Sequence, residues 1–278
     1  VAPAILAGGI IQINLLVDTI FASLLETGSP TWLYVSDRLI QFPMGIFAIA
    51  IGTVLLPTLS KLDFKNEKIK FIQNVHKGQR FVIFIAVPSL IGLFFCAEDL
   101  ISTIFYRGAF TQIDVLNSSY SLMAFSLGLP FFMLMKVLTP AFFARKDTKT
   151  PMYVAMVSLL LNASLNYYLA FMLDFGHIGI ALGSSIAALI SVLILEFILY
   201  KDGFIKIKSV FNRFNIMILF SNLSLILFLN FYTNLTNFIE FSQVERFLYL
   251  SIEVIISIII YGAVSRLILR KPIQTLFE

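Results

Sequence analysis

Charge is what this sequence lacks most. Only 13% of its 278 residues are Asp, Glu, Lys or Arg, while 59% are hydrophobic. Soluble domains carry about 25% charged and about 45–50% apolar residues. A water-soluble fold of this length would therefore leave apolar surface it could not bury, whereas lipid accepts it. The mean hydropathy of +0.91 points the same way. Cysteine is nearly absent: Cys96 stands alone, which excludes an internal disulfide and a thiolate metal cluster. The two histidines, His76 and His177, are far apart and fall in expected loops. No nucleophile elbow, P-loop, His-Glu-x-x-His or paired-aspartate metal motif occurs. These absences favour transport over catalysis, so the chain is expected not to be an enzyme. The net charge of +4 suggests no nucleic-acid partner, because the distribution of Lys and Arg across a membrane explains it better.

Long apolar runs are what the sequence has. A spanning helix needs about 20 mostly apolar residues, and eight runs qualify: 3–25, 33–59, 80–97, 117–143, 152–173, 177–200, 214–234 and 246–268. They are continuously apolar, which favours helices over the alternating strands of a barrel. The expected fold is an all-α, polytopic integral membrane bundle of about eight transmembrane helices. Short polar connections imply that sequence neighbours pack as spatial neighbours. The longest interruption, Ser60–Arg80, is expected to carry a short amphipathic helix at the membrane surface. No signal-peptide cleavage pattern is visible, so the first run reads as a helix that stays. The chain begins at Val1 and enters an apolar run at once, as expected of a fragment of a longer protein.

Basic residues alternate between loops. With the N-terminus inside, Lys61, Lys65, Lys68, Lys70, Lys77, Arg80, Arg145, Lys146, Lys149, Lys201, Lys206, Lys208, Arg213, Arg266, Arg270 and Lys271 share the cytoplasmic side. Arg107 and Arg246 fall on the other. This asymmetry places both ends in the cytoplasm.

Polar residues within the apolar runs are costly and invite a functional reading. Arg38 lies near the outer end of the second run. In one reading it snorkels, or pairs with a carboxylate such as Asp37. In the other it faces a cavity as an anion ligand, because guanidinium suits phosphate oxygens at low dielectric. Arg38, Gly45 and Gly52 recur every seven residues, which puts them on one helix face. Asn14 and Asp18 share a face of the first run. Ser158, Asn162 and Asn166 form a stripe on the fifth. Ordinary interhelical hydrogen bonding and a cation site built from oxygen donors explain these residues equally well. Lys136 either snorkels, pairs with an acid or supports a substrate. Glu196 and Glu253 read as interfacial or packing partners. Pro43, Pro57, Pro88, Pro130 and Pro140 interrupt the runs, and Gly179 with Gly183 makes a small-residue contact face.

Several segments resemble the MurJ (MviN) family of lipid II flippases. They are Trp32-Leu33-Tyr34-Val35-Ser36-Asp37-Arg38-Leu39-Ile40-Gln41-Phe42-Pro43-Met44-Gly45, the run Ala50–Ser60 with its Leu-Pro-Thr-Leu-Ser end, Phe105–Thr111, Lys136–Pro151 and Leu16–Ser23. Their order and spacing fit along most of the chain. The family has fourteen spanning helices and the fold of the multidrug/oligosaccharidyl-lipid/polysaccharide exporter superfamily. The resemblance implies the last eight helices: residues 1–200 as the C-terminal six-helix lobe, and residues 201–278 as two added helices bordering a lipid-tail groove. The N-terminal lobe would be a missing partner. It further implies translocation of lipid II, the undecaprenyl-pyrophosphate-linked peptidoglycan precursor, across a bacterial inner membrane by alternating access. Arg38 matches a cavity arginine and would bind pyrophosphate. Asp18, Asn162 and Asn166 match a sodium site, with Asn166 standing where some relatives have Asp. Asn14, Asp37 and Lys136 would support. No organic cofactor is implied.

Three rival readings differ in class. Another transporter of the superfamily, a drug exporter or a different polysaccharide-lipid flippase, would share the fold but lacks reason for the Asp-Arg-Leu and Ala-Arg-Lys-Asp-Thr-Lys-Thr-Pro segments. A membrane enzyme acting on polyprenyl-linked sugars would need an acidic pair near the interface, and none is legible. A scaffold would have little reason to keep Arg38 and Asp18 in apolar spans.

Overall fold

The computed structural model describes residues 2–62, 66–205, 213–236 and 238–269. Helices account for the regular structure among them: α1 (Ala2–Ser23), α2 (Ser29–Pro43), α3 (Ile49–Ser60), α4 (Lys68–Phe95), α5 (Ala97–Phe105), α6 (Gln112–Ala144), α7 (Lys149–Tyr167), α8 (Gly176–Lys201), α9 (Arg213–Leu235) and α10 (Gln243–Leu269). A π turn at Met44–Ala48 joins α2 to α3, and another at Tyr168–Met172 extends α7. Among the described residues, six stretches are long and apolar enough to cross a membrane: Ser29–Ser60, Lys68–Phe95, Gln112–Ala144, Lys149–Met172, Gly176–Lys201 and Gln243–Ile268. The other two expected runs are occupied by α1 and α9. Of the basic loop residues, Lys65, Lys206, Lys208, Arg270 and Lys271 lie outside the described residues.

The core forms around α6. Leu122, Leu129, Met133, Leu138 and Phe142 are fully buried along it. Residue size sets how closely helices approach, since lipid supplies little hydrophobic drive between them. At Gly128 of α6 a Cβ would lie 2.9 Å from the Cα of Ser185 on α8, so only glycine permits this crossing. Ser185 uses the proximity to donate its hydroxyl to Ala124 O at 2.9 Å. The start of α6 is fixed by a reciprocal cap: Asp114 accepts from Thr111 N at 2.8 Å, and Thr111 Oγ1 accepts from Asp114 N at 3.3 Å. Asp114 also accepts from Trp32 Nε1 at 2.7 Å, which ties α2 to the same end.

Four expectations are corrected. Residues 68–80 are not a separate surface helix but the first turns of α4. Phe71, Val75, Gly78, Gln79 and Val82 are buried at helical spacing, so an apolar stripe runs on beneath the charges. The histidines are in helices, not loops. His76 lies in α4, and His177 opens α8, buried against Trp32 and 2.7 Å from the Ser121 hydroxyl. Sequence neighbours account for only part of the packing: α4 with α6, α7 with α8 and α9 with α10 do pack together, but α6 also packs on α8 and α2, and α1 packs on α7. Finally, the seven-residue stripe does not hold one face. The π turn adds a residue between Arg38 and Gly52. Arg38 and Gly45 are exposed, but Gly52 turns toward α6, with its Cβ position 3.2 Å from Lys136 O.

The two ends of the bundle are chemically distinct. At one, Arg145 pairs with Asp202 at 2.7 Å and stacks 4.1 Å from the Phe204 ring, while Lys68 donates to Asp202 O at 3.2 Å. At the other, Arg246 lies 4.7 Å over the Tyr106 ring. This grouping agrees with the alternation of basic loops. Asp147 accepts from Lys149 N at 3.2 Å and Thr150 N at 3.0 Å, which fastens the start of α7. Burial opposes its charge, but the hydrogen bonds from Thr150 and Lys149 prevail and hold the carboxyl below its usual range.

Candidate functional site

Asp18 projects from α1 toward α7 and α8. Its carboxylate accepts from Asn166 Nδ2 at 2.6 Å and from the Ser184 hydroxyl at 3.3 Å. The same Asn166 nitrogen donates to Asn162 Oδ1 at 3.1 Å, and Asn162 Nδ2 donates to Ser184 Oγ at 2.8 Å. Both asparagines are fully buried. Helical spacing accounts for the stripe: residues four apart on α7 stack on one face. The small residues of α8 then let that face close. Gly183 leaves room for Asn166 Oδ1, and at Gly179 a Cβ would lie 2.7 Å from Ala170 N.

Asn166 Oδ1 is buried without a protein partner. Buried polar oxygens without partners are uncommon and call for an explanation. Asn14, one turn before Asp18, also has its Oδ1 buried and unpartnered. The oxygens of Asp18, Asn162, Asn166 and Ser184 therefore form a compact set of hard donors. The amide of Asn166 meets Asp18 through its nitrogen, so presenting oxygen there requires a half-turn of that amide. Ser158 takes no part in the network among the described hydrogen bonds.

Asp18 and Asn14 open onto a cavity of about 380 Å³, bounded by α1, α2, α6 and α8. Tyr34 and Asp37 of α2 also line it. Gln41 bridges the next pair: its Nε2 donates to Asp37, and its Oε1 accepts from Arg38 at 3.3 Å. The Arg38 guanidinium stacks 4.7 Å from the Tyr34 ring and is exposed. It makes no ion pair among the described residues. The direct pairing of Arg38 with Asp37 is thus replaced by a relay through Gln41. The structure brings together Asp18, Asn162 and Asn166 and puts Asn14 and Asp37 on the same cavity. Arg38 is not in the lining itself but stacks on Tyr34, which is. Lys136 is exposed on α6 and is not part of the lining.

Two features escaped the sequence. Ser184 completes the polar network, and its signal was a hydroxyl inside an apolar run beside Gly183. Asp99 and Glu253 also come together, although distant in the chain. They are 6% and 0% exposed, so they do not present an accessible acidic pair of the kind an interfacial enzyme would need. Glu196 is a packing partner as expected, accepting from Gln79 Nε2 at 2.9 Å.

Comparison with known proteins bears on the family and the fold. A family model described as "Lipid II flippase MurJ" matches residues 1–249. A "Probable lipid II flippase MurJ" from Vibrio cholerae is 41% identical over 201 residues, covering 72% of this chain and 38% of the relative. A solved structure titled "Lipid II flippase MurJ, inward closed conformation" superposes with a TM-score of 0.76 at 30% identity, covering 97% of this chain and 52% of that one. An outward-facing multidrug resistance transporter of the MATE family shares the fold at a TM-score of 0.58 and 13% identity, covering 83% of this chain and 53% of that one. The chain spans well under half the length of the Vibrio relative.

Proposed function

The chain belongs to the MurJ family of lipid II flippases, and from that premise we propose that it forms the substrate-handling half of a lipid II translocator. The whole protein carries the undecaprenyl-pyrophosphate-linked peptidoglycan precursor from the inner to the outer leaflet in cell-wall biosynthesis. It is a transporter rather than an enzyme. It works in a bacterial inner membrane, with both ends of this chain on the cytoplasmic side. Residues 1–200 form one lobe, and the partner lobe supplies the opposite wall. The single observation that carries this reading is the exposed guanidinium of Arg38, stacked on Tyr34 of the cavity that Asp18 and Asp37 also line.

The anionic headgroup needs a cation held open to a wet cavity, and Arg38 provides one without an ion pair to displace. The tail needs an apolar surface. A groove of about 570 Å³ between the α2–α3 junction, α4 and α10 provides it, lined by Phe42, Phe47, Phe84, Pro88, Ile258 and Tyr261. Residues 201–278 thereby serve as the tail-binding pair. The oxygen set at Asp18 fits a sodium ion, because one carboxylate with neutral amide and hydroxyl oxygens suits a hard monovalent cation. Asp18, Asn162, Asn166 and Ser184 would hold it. The ion would supply positive charge between α1, α7 and α8 and bias the lobe between its two positions.

The test uses the full-length protein in a bacterium depleted of its resident flippase. Lipid II arriving at the outer leaflet is labelled from the periplasm. Arrival is expected with the native protein and is expected to be lost with Arg38→Ala at matched membrane abundance. Arrival undiminished in the variant would remove Arg38 from the mechanism, and no arrival with the native protein would remove lipid II.

A further inference from the structure

A second ionisable site sits far from Asp18, where α4 ends and α5 begins. Cys96 separates those helices and donates its thiol to Glu253 Oε1 of α10 at 3.1 Å. Asp99 lies on the first turn of α5, 6% exposed, and Glu253 is fully buried. Each has a second carboxyl oxygen, Asp99 Oδ2 and Glu253 Oε2, that is sealed from solvent and without a hydrogen-bond partner. One turn further along α5, the hydroxyl of Thr103 is also buried and unpartnered. Orphaned carboxyl oxygens at this depth mark a ligand or a proton, because two bare charges cannot be held together there.

Among the described residues, the neighbours supply no counter-charge. Arg246, two turns before Glu253 on α10, commits its donors to backbone carbonyls: Nε to Phe238 O at 2.7 Å, Nη2 to Ile239 O at 2.8 Å and Nη1 to Ser102 O at 3.4 Å. Neither described ion pair includes Asp99 or Glu253. The other titratable groups acting on the cluster are Glu98 on α5, Tyr232 on α9, Tyr249 on α10 and Cys96 itself. None is a cation. A metal ion fits poorly: hard cations take about six to eight oxygens, and the cluster leaves two carboxyl oxygens free.

We propose that Asp99 and Glu253 hold one exchangeable proton between them, and that this shared proton fastens α10 to α5. With the proton present, the pair carries one charge, and the Cys96 thiol hydrogen-bonds it. When the proton leaves, two buried like charges face each other across the α5–α10 contact and loosen it. Burial first, then the charge of Glu253 and then that of Glu98, pushes the Asp99 carboxyl up to about 8, so the proton is retained at neutral pH. The folded state then binds a proton that the unfolded chain has released. Stability contributed by the site is full near the ordinary value of 3.8 and lost as pH rises toward about 8.

The experiment is a thermal-unfolding series on the full-length protein in detergent, from pH 5 to pH 9, with choline as the only added cation. Asp99→Asn and Glu253→Gln mimic the protonated acids, so both variants are expected to fold. The native protein is expected to lose melting temperature steadily up to about pH 8, and each variant is expected to lose that slope. Carboxyl infrared spectra over the same series give a second readout: a protonated-carboxyl band that fades toward pH 8 and is missing in Asp99→Asn. Parallel slopes in native and variant proteins, with an unchanged band, would overturn the proposal. A slope abolished by sodium at fixed ionic strength would also overturn it, by showing a metal ion where a proton is assigned.

Discussion

Asn166 donates to Asp18 at 2.6 Å across most of the lobe's sequence, while its own carbonyl oxygen lies buried without a partner. The contact locks α1 to α7 through a nitrogen. A cation arriving at Asp18 would compete for the same carboxylate and favour the opposite amide orientation. Sodium chloride is therefore expected to raise the melting temperature of the full-length protein above that in choline chloride. Asp18→Asn should erase the difference, and Asn166→Asp should enlarge it by adding a carboxylate. Equal melting temperatures in both salts for the native protein would refute a sodium site.

Gly183 is the packing condition for that network. A Cβ there would run into Asn166 Oδ1 and sit 3.3 Å from Asn166 N. Gly183→Ala should cost about 1–3 kcal/mol, as overpacking does in well-filled cores. A lowered melting temperature together with a lost sodium response checks it. Gly45→Ala, where no atom stands within 4 Å of the new Cβ, is the control expected to be neutral.

Arg38 should respond to geometry as well as to charge. A charge-assisted hydrogen bond contributes about 1.5–3 kcal/mol. Arg38→Ala should thus weaken pyrophosphate-lipid binding by roughly ten- to a hundredfold. Arg38→Lys keeps the charge but loses the planar fork, so it should fall between. Binding of an undecaprenyl-pyrophosphate analogue to the full-length protein in nanodiscs measures both. Equal affinity of the native, Lys and Ala proteins would detach Arg38 from the headgroup.

The apolar groove offers a steric test. Gly92 of α4 lines it, and a Cβ there would meet no atom within 4 Å. Gly92→Phe should fill the space without disturbing the fold. Transport of lipid II is expected to fall while melting temperature and membrane abundance hold. Undiminished transport would mean that the tail travels elsewhere.

Trp32 gives a purely structural prediction. Its indole N–H to Asp114 is the side-chain bond joining α2 to the cap of α6. Trp32→Phe keeps the ring but removes the donor, and should lower stability on the order of 1 kcal/mol. An unchanged denaturation midpoint would show that the bond contributes nothing net.

The sequence carried the local part of this architecture well. Apolar length found all eight helical runs, and four-residue spacing found Asn162 and Asn166 because residues on one helix declare their common face. Asp18 stood out because a carboxylate in an apolar run has few innocent explanations. Ser184 did not, since a hydroxyl can satisfy itself on its own helix and so leaves no pattern. The start of α4 was hidden for a different reason. Lys68, Lys70, Lys77 and Arg80 dominate a hydropathy average, while the buried stripe from Phe71 to Val82 is visible only once α6 lies against it. Asp99 and Glu253 meet through tertiary packing alone, and no spacing rule links positions so far apart in the chain.

The π turn at Met44–Ala48 makes one stretch of helix sensitive to length in a way composition does not show. Beyond it, Leu55 and Leu59 are buried in the core and set the angular position of α3. Before it, Arg38 is aimed by whatever rotation the turn passes on. Each α-helical residue contributes about 100°. Deleting one residue from this turn would restore unbroken helix and swing Arg38 by about that angle, with every side chain of the site still present. Substitutions here are tunable; insertions and deletions act as a change of bearing.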